Sequence, residues 1–72
     1  MIDVGQKVRF DPFANLEGPG SRDNKGKMVT GTVAFVNAQD GWFSVVYIAN
    51  GVNLRTSFWP LDVDEGTVIL CV

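Results

Sequence analysis

The sequence has almost none of the residues from which zinc centres, iron–sulfur centres and disulfide networks are built. It contains no histidine, and Cys71 is its one cysteine. A single thiol cannot close an intramolecular disulfide, and without histidine the chain has no credible zinc or iron–sulfur ligand set. We therefore expect neither a metal nor another cofactor, and the cysteine content fits a reducing cytoplasmic setting.

Long apolar runs are also missing from the chain. No segment approaches the roughly 20 apolar residues that cross a bilayer, and the first residues lack the apolar run of a secretory signal. Apolar residues nevertheless make up 46% of the 72 residues, which is enough for a compact core. The composition predicts one small domain spanning residues 1–72, in the cytoplasm and without membrane contact.

Basic residues are few and unevenly placed. Six Lys and Arg stand against eight Asp and Glu, a net charge of −2, which disfavours general binding to phosphate backbones. Five of the six basic residues fall within residues 1–30, and one falls within residues 31–72. Any surface that attracts anions is therefore expected in the first half of the chain.

Apolar and polar residues alternate in short segments, the pattern of β-strands. Turn signals separate these segments: "NAQDG" at residues 37–41 and Asn50-Gly51, the latter typical of tight hairpins. "WPLDV" at residues 59–63 is too short for an ordinary helix and predicts a single 3₁₀ turn. The fold class is thus all-β, a small barrel or orthogonal sandwich. The predicted strands cover residues 5–11, 28–37, 42–48, 53–58 and 67–72.

Two further features concern how the sheet closes. Gly31 lies inside the second predicted strand and indicates a bulge or a sharp bend. Strict alternation in that strand places Val29, Gly31, Val33 and Phe35 on one face. Residues 12–27 are rich in Gly, Pro, Asn, Asp and Ser and predict a long loop, and loops of this length in small domains are usually functional or mobile.

Two stretches resemble Src-homology-3-like barrels. "DGWFSVVY" (residues 40–47) is similar to the tandem-aromatic strand of those domains, and "SFWPLDV" (residues 57–63) is similar to their proline-bearing 3₁₀ turn. The order of predicted elements agrees with theirs. The resemblance implies a five-stranded SH3-like barrel with a long loop after the first strand and a short 3₁₀ turn before the last strand.

Two broader likenesses bear on function. "VGQKVRF" followed by "KMVTGTVAFVN" resembles the KOW and Tudor-type members of the same barrel class. The combination of "KVRFDPF", "VTGTVAFVN", "WFSVVY", "LRTSF" and a terminal "LC" is similar to small proteins encoded by prophages and mobile elements of Gram-positive bacteria. That second likeness implies a phage-related or host-directed role.

The resemblance also implies a binding surface on the tandem-aromatic strand. Successive strand side chains point to opposite faces, and the family pattern turns Trp42, Ser44 and Val46 outward. Phe43, Val45 and Tyr47 then face inward. In the alternative interpretation, Trp42 covers one end of the barrel.

In the binding interpretation, Phe58 or Trp59, together with Pro60, forms an aromatic shelf beside Trp42 for an apolar or proline-rich segment of a partner. The alternative is core closure, which we favour for at least one of Phe58 and Trp59. We expect the long loop to contribute Phe13 and a basic tip, which suits an acidic partner surface or nucleic acid. In the alternative interpretation, the tip is only solvated. The basic residues of that tip are Arg22, Lys25 and Lys27.

The sequence thus predicts a non-catalytic module that binds another protein. One alternative is nucleic-acid binding through a stacking platform that combines Trp42 or Phe13 with basic side chains. Another is a self-assembling phage component, a homo-oligomer formed through the apolar last strand. An enzyme is not expected, because the acidic cluster at residues 62–65 has no neighbouring partner for catalysis. The basic side chains of the nucleic-acid alternative are Arg9, Arg22, Lys25, Lys27 and Arg55.

Overall fold

Most of the described chain is β-strand. The structure is a computed structural model that describes residues 2–12 and 28–71. The all-β prediction is confirmed, with one short helix before the last strand. Within the described residues, no helix has the length and apolar character needed to span a membrane. The elements are β1 (Lys7–Phe10), β2 (Val29–Val36), β3 (Phe43–Ala49), β4 (Val52–Phe58), α1 (Pro60–Asp64) and β5 (Val68–Leu70).

The strands form one antiparallel sheet in the order β4-β3-β2-β1-β5. The β3–β4 hairpin turns at Asn50 and Gly51, whose φ angles are 53° and 76°. Positive φ at both central residues is what a tight hairpin turn requires, so the predicted Asn-Gly turn is confirmed. In the described residues, the two outer strands, β4 and β5, do not pair with each other.

The sheet curls so that one face packs against itself. In the sheet order, β1 and β4 are separated by three strand spacings, about 14 Å in a flat sheet. The ring of Phe10 on β1 nevertheless lies 5.0 Å from that of Phe58 on β4 and 4.9 Å from that of Tyr47. This inner face forms the core. Its fully buried residues are Val8, Phe10, Val33, Phe43, Val45 and Val68.

Gly31 lies at a crowded position in the curled sheet. A Cβ atom there would overlap Cγ1 of Val45 and lie 3.0 Å from the backbone oxygen of Val46 and 3.2 Å from the Phe10 ring. Gly31 therefore permits the close approach of the strands, one of the uses of glycine within a strand.

The bulge in β2 lies beyond Gly31. The register with β3 shifts between Val33 and Phe35, where β2 contains an extra residue. Such a residue reverses the inward and outward alternation of the residues that follow it. Phe35 is consequently exposed, whereas Val36 packs against the core. The prediction that Phe35 shares a face with Val33 was wrong.

Helix α1 replaces the predicted 3₁₀ turn. The N–H of Glu65 donates to the carbonyl of Leu61 at 2.9 Å, which is the four-residue spacing of an α-helix. The Asp62 carboxylate accepts the N–H of Trp59 at 2.7 Å and so satisfies a donor at the helix start. Pro60 has no N–H to satisfy and suits the first helical position.

The last strand is paired within the chain. Arg9 of β1 is the register partner of Ile69 of β5, and the N–H of Cys71 donates to the carbonyl of Lys7 at 3.0 Å. Val68 is buried in the core and Ile69 is 49% exposed on the opposite face. The first strand therefore covers one edge of this apolar segment.

Candidate functional site

A cleft of about 650 Å³ opens beside α1. Four separate parts of the chain enclose it: residues 2–4, the turn at residues 37–41, α1 and β5. Its volume lies within the range of about 300–1,000 Å³ typical of ligand sites. The described residues that line it are Ile2, Asp3, Val4, Val36, Asn37, Ala38, Gly41, Pro60, Val63, Asp64 and Leu70.

The turn at residues 37–41 owes its shape to Asn37. The side-chain oxygen of Asn37 accepts the N–H groups of Gln39 at 3.0 Å and Asp40 at 2.8 Å. Such side-chain-to-backbone bonds are the reason asparagine favours turns. The carbonyl of Asn37 also accepts the N–H of Gly41 at 2.7 Å, which closes the turn and gives the cleft one wall.

Gly41 brings that wall against α1. Its φ of +86° is a conformation that other residues adopt with strain. A Cβ atom at Gly41 would lie 3.1 Å from Cγ of Pro60. The turn and the first residue of α1 are thus in close contact, and this contact bounds the cleft on one side.

The lining of the cleft is mainly apolar and is supported by the core. Ile2, Val36, Val63 and Leu70 are half-buried and pack against the core residues. Each of them presents part of its side chain to the cleft. Because a packed core resists deformation, we expect the cleft to keep its shape without a ligand.

The charges at the cleft have one sign. Asp3 and Asp64 line it and are exposed, and no Lys or Arg is present among the described lining residues. The N–H of Asp3 donates to the side-chain oxygen of Gln6 at 3.3 Å, which helps to place this segment. The cleft is thus an apolar surface beside negative charge.

The described Lys and Arg residues lie on the outer face of the sheet, the side away from the core. Lys7 and Arg9 alternate with buried Val8 and Phe10 and are exposed. The register places Lys7 beside Thr32, Thr32 beside Val46, and Val46 beside Arg55. Lys7 Nζ donates to Thr32 Oγ1 at 2.7 Å. Two of the three cations therefore lie in one row across four strands.

An aromatic pair lies on the same outer face. The rings of Phe35 and Trp42 are 5.4 Å apart and inclined at 45°. Phe35 is opposite Ser44, on the same side of the sheet as the row of cations, because the bulge in β2 turns it outward. Trp42 is half-buried in this arrangement and packs on Phe35. Strict alternation in β2 predicted that Phe35 shares a face with Val33, so the sequence did not indicate its pairing with Trp42 on the outer face.

The inward half of the tandem-aromatic prediction is confirmed, and on the outer face one of the residues is covered by its neighbours. Phe43 and Val45 are fully buried, and Tyr47 packs against the core. Val46 is exposed as expected. Ser44 lies on the outer face, as expected, but is only 6% exposed, because Phe35 and Ser57 flank it on the neighbouring strands. Its hydroxyl lies 3.3 Å from that of Ser57.

The two aromatic residues before α1 have different surroundings. The ring of Phe58 lies 5.0 Å from that of Phe10 in an edge contact and 5.9 Å from that of Phe43, so core closure is the correct interpretation for Phe58. Trp59 is 57% exposed, and Pro60 lines the cleft. Four other predicted site residues lie outside the described residues. They are Phe13, Arg22, Lys25 and Lys27.

Most of the cleft was missed by reasoning from the sequence. The sequence pattern indicated Pro60 as a site residue but not Ile2, Asp3 or Leu70, and Asp64 was considered only within the acidic cluster at residues 62–65. No local pattern connects these residues, because they come from distant positions. The described residues contain no group of three or more His, Cys, Asp or Glu that could hold a metal ion.

Comparison of the chain with protein-family models, with curated proteins and with solved structures finds no match.

Proposed function

We propose that this chain is a non-catalytic binding module that engages another protein at the cleft beside α1. The observation that carries this proposal is the cleft itself, an apolar concavity of about 650 Å³ that rests on the core. Preformed apolar concavities with a few polar groups are the usual form of ligand sites. Trp59, exposed next to Pro60, extends the apolar surface at the beginning of α1.

The order of elements supports the proposal of an SH3-like barrel. Five strands, a tight β3–β4 hairpin and one helical turn before the last strand follow the order that the family resemblance implies. The curled sheet agrees with this architecture. The likeness to proteins of prophages and mobile elements directs the proposal toward a partner in a bacterial host.

Blocking the cleft tests the proposal. Ala38 is exposed and lines the cleft, so Ala38→Trp fills part of it without disturbing the core. Thr30→Trp adds a similar bulk on the exposed outer face and serves as the control. Tagged wild-type and variant chains are used to capture partners from a Gram-positive bacterial lysate, with thermal unfolding to verify that each variant is folded.

A protein retained by the wild type and by Thr30→Trp, but lost with Ala38→Trp, supports binding at the cleft. Capture that is unaffected by Ala38→Trp, or reduced equally by both substitutions, contradicts it.

A second candidate function is supported by the outer face. Lys7, Arg9 and Arg55 lie there with the Phe35–Trp42 pair, and cations beside aromatic rings suit single-stranded nucleic acid. Three phosphate contacts would give a slope of log K against log salt of about −2. Fluorescence anisotropy with a labelled oligonucleotide measures this slope.

The charge-neutral variant Lys7→Gln/Arg9→Gln/Arg55→Gln is the matched comparison for this second function. It should remove both the binding and its salt dependence. An absence of oligonucleotide binding by the wild type at low salt would eliminate the candidate.

A further inference from the structure

We propose that the cleft recognises a segment of the partner protein that carries an apolar side chain next to Lys or Arg. This inference rests on the proposed binding at the cleft and specifies the chemistry of the occupant. It joins two observations, the apolar lining and the sign of the charges beside it.

The apolar lining requires a hydrophobic group in the occupant. Val63 of α1, Leu70 of β5 and Ile2 contribute half-buried side chains that already pack on the core. Covering their exposed parts removes apolar surface from water, which favours association. The volume of about 650 Å³ accommodates more than one side chain, so a short segment fits better than a single group.

The carboxylates of the cleft favour a positively charged partner segment. Asp3 and Asp64 line the cleft from two different parts of the chain. Within the described residues, neither carboxylate has a hydrogen bond or an ion pair from another side chain. A Lys or Arg of the partner could therefore pair with them without displacing an existing contact.

The positions of the described cations point the same way. Lys7, Arg9 and Arg55 belong to the outer face, and none of them lines the cleft. A cationic ligand therefore meets no fixed like charge among the described lining residues. An anionic ligand, such as an acidic peptide or a nucleic acid, would face two carboxylates. Charge complementarity of this kind selects partners as well as increasing the association rate.

The experiment is a titration of the isotopically labelled chain with blocked hexapeptides, followed by the backbone amide signals of the cleft. The first probe has two central leucines flanked by lysines. In the second probe glutamates replace the lysines, and in the third serines replace the leucines. Exposed ion pairs contribute about 1.5- to 5-fold each, so the first probe should bind about tenfold more tightly than the second. The third should bind more weakly than the first.

Charge removal provides the matched variants. Asp3→Asn/Asp64→Asn should weaken binding of the lysine–leucine peptide about tenfold. The variant should no longer prefer this peptide over the glutamate peptide. Asp40→Asn/Glu65→Gln removes the same charge at exposed residues that do not line the cleft, and it should change the affinity less than about twofold.

Three outcomes would overturn the inference: equal or tighter binding of the glutamate peptide, an unchanged affinity in Asp3→Asn/Asp64→Asn, or no movement of the cleft signals with any peptide at millimolar concentration. These outcomes are separable from failure of the proposed function. If Ala38→Trp still abolishes capture, the cleft is the binding site and only the assigned chemistry is wrong.

Discussion

The cleft and the outer face differ in charge and in how they are assembled. The cleft has Asp3 and Asp64 and no described Lys or Arg, whereas the outer face has Lys7, Arg9 and Arg55. Regular strand alternation builds the outer face. The cleft instead combines the ends and turns of four segments. Opposite charges are therefore separated because they occupy different kinds of local structure.

This difference explains how a chain with a net charge of only −2 presents two distinct surfaces. Lys7 and Arg9 are exposed because Val8 and Phe10, next to them in β1, are buried. The acidic residues near the cleft lie in turns and in α1, where carboxylates accept backbone N–H groups, as Asp62 does for Trp59. Net charge alone would not reveal this separation.

The largest expected loss of stability comes from removing the Phe10 ring, which lies in the core. Phe10→Ala deletes a fully buried side chain whose ring makes edge contacts with Phe58 and Tyr47 across the curled sheet. The free energy of unfolding should fall by about 3–5 kcal/mol. Phe35→Ala is the matched control on the outer face. It should cost about 0.5–1.5 kcal/mol, because Phe35 is 45% exposed and mainly stacks on Trp42.

Urea unfolding measures both variants. Similar losses for the two phenylalanines would contradict the assignment of one to the core and the other to the surface.

A smaller loss of stability is expected from a substitution at Gly31, where the strands of the curled sheet approach closely. Gly31→Ala places a Cβ atom against Val45 and the backbone of Val46, so the strands must separate. Overpacking of this kind costs about 1–3 kcal/mol. Thr30→Ala, the exposed neighbour in β2, should cost less than about 1 kcal/mol. Equal stability of Gly31→Ala and the wild type in thermal unfolding would show that the sheet is less tightly curled at Gly31.

The smallest effect concerns the helix that forms one wall of the cleft. Asp62→Ala removes the acceptor for the Trp59 N–H and should cost about 0.5–1 kcal/mol. Asp64→Ala, on the same helix, should leave the free energy of unfolding within about 0.5 kcal/mol of the wild type. It should, however, weaken binding of the lysine–leucine peptide. Asp62→Ala thus tests the stability of the helix beside the cleft, and Asp64→Ala tests the charge of the cleft. A larger stability loss in Asp64→Ala than in Asp62→Ala would contradict this division, as measured by chemical denaturation.

Local patterns were sufficient for the strands and for part of the core. Alternation identified β1 and placed Phe43 and Val45 on one face of β3, and the family resemblance implied that this face is the inner one. The Asn50-Gly51 pair identified the tight hairpin. These predictions succeeded because neighbouring residues determine which face a strand side chain occupies and which turn a glycine permits.

The failures have a common cause. The bulge in β2 exchanged the environments of Phe35 and Val36, and Ser44 became buried between two neighbouring strands. Both depend on which residues lie opposite each other in the sheet. Pairing partners come from distant parts of the chain, so strand periodicity could not identify them.

The binding regions show the same division. In β1 the exposed Lys7 and Arg9 alternate with buried residues, and this placement follows from the local alternation of polar and apolar residues. The cleft exists only because the folded sheet brings Asp3, Gly41, Asp64 and Leu70 together from four segments. Strand alternation acts between adjacent residues and can be read from the chain, whereas a concavity depends on the spacing of packed elements. Only the tertiary structure could decide that spacing, because side-chain packing across the core sets it.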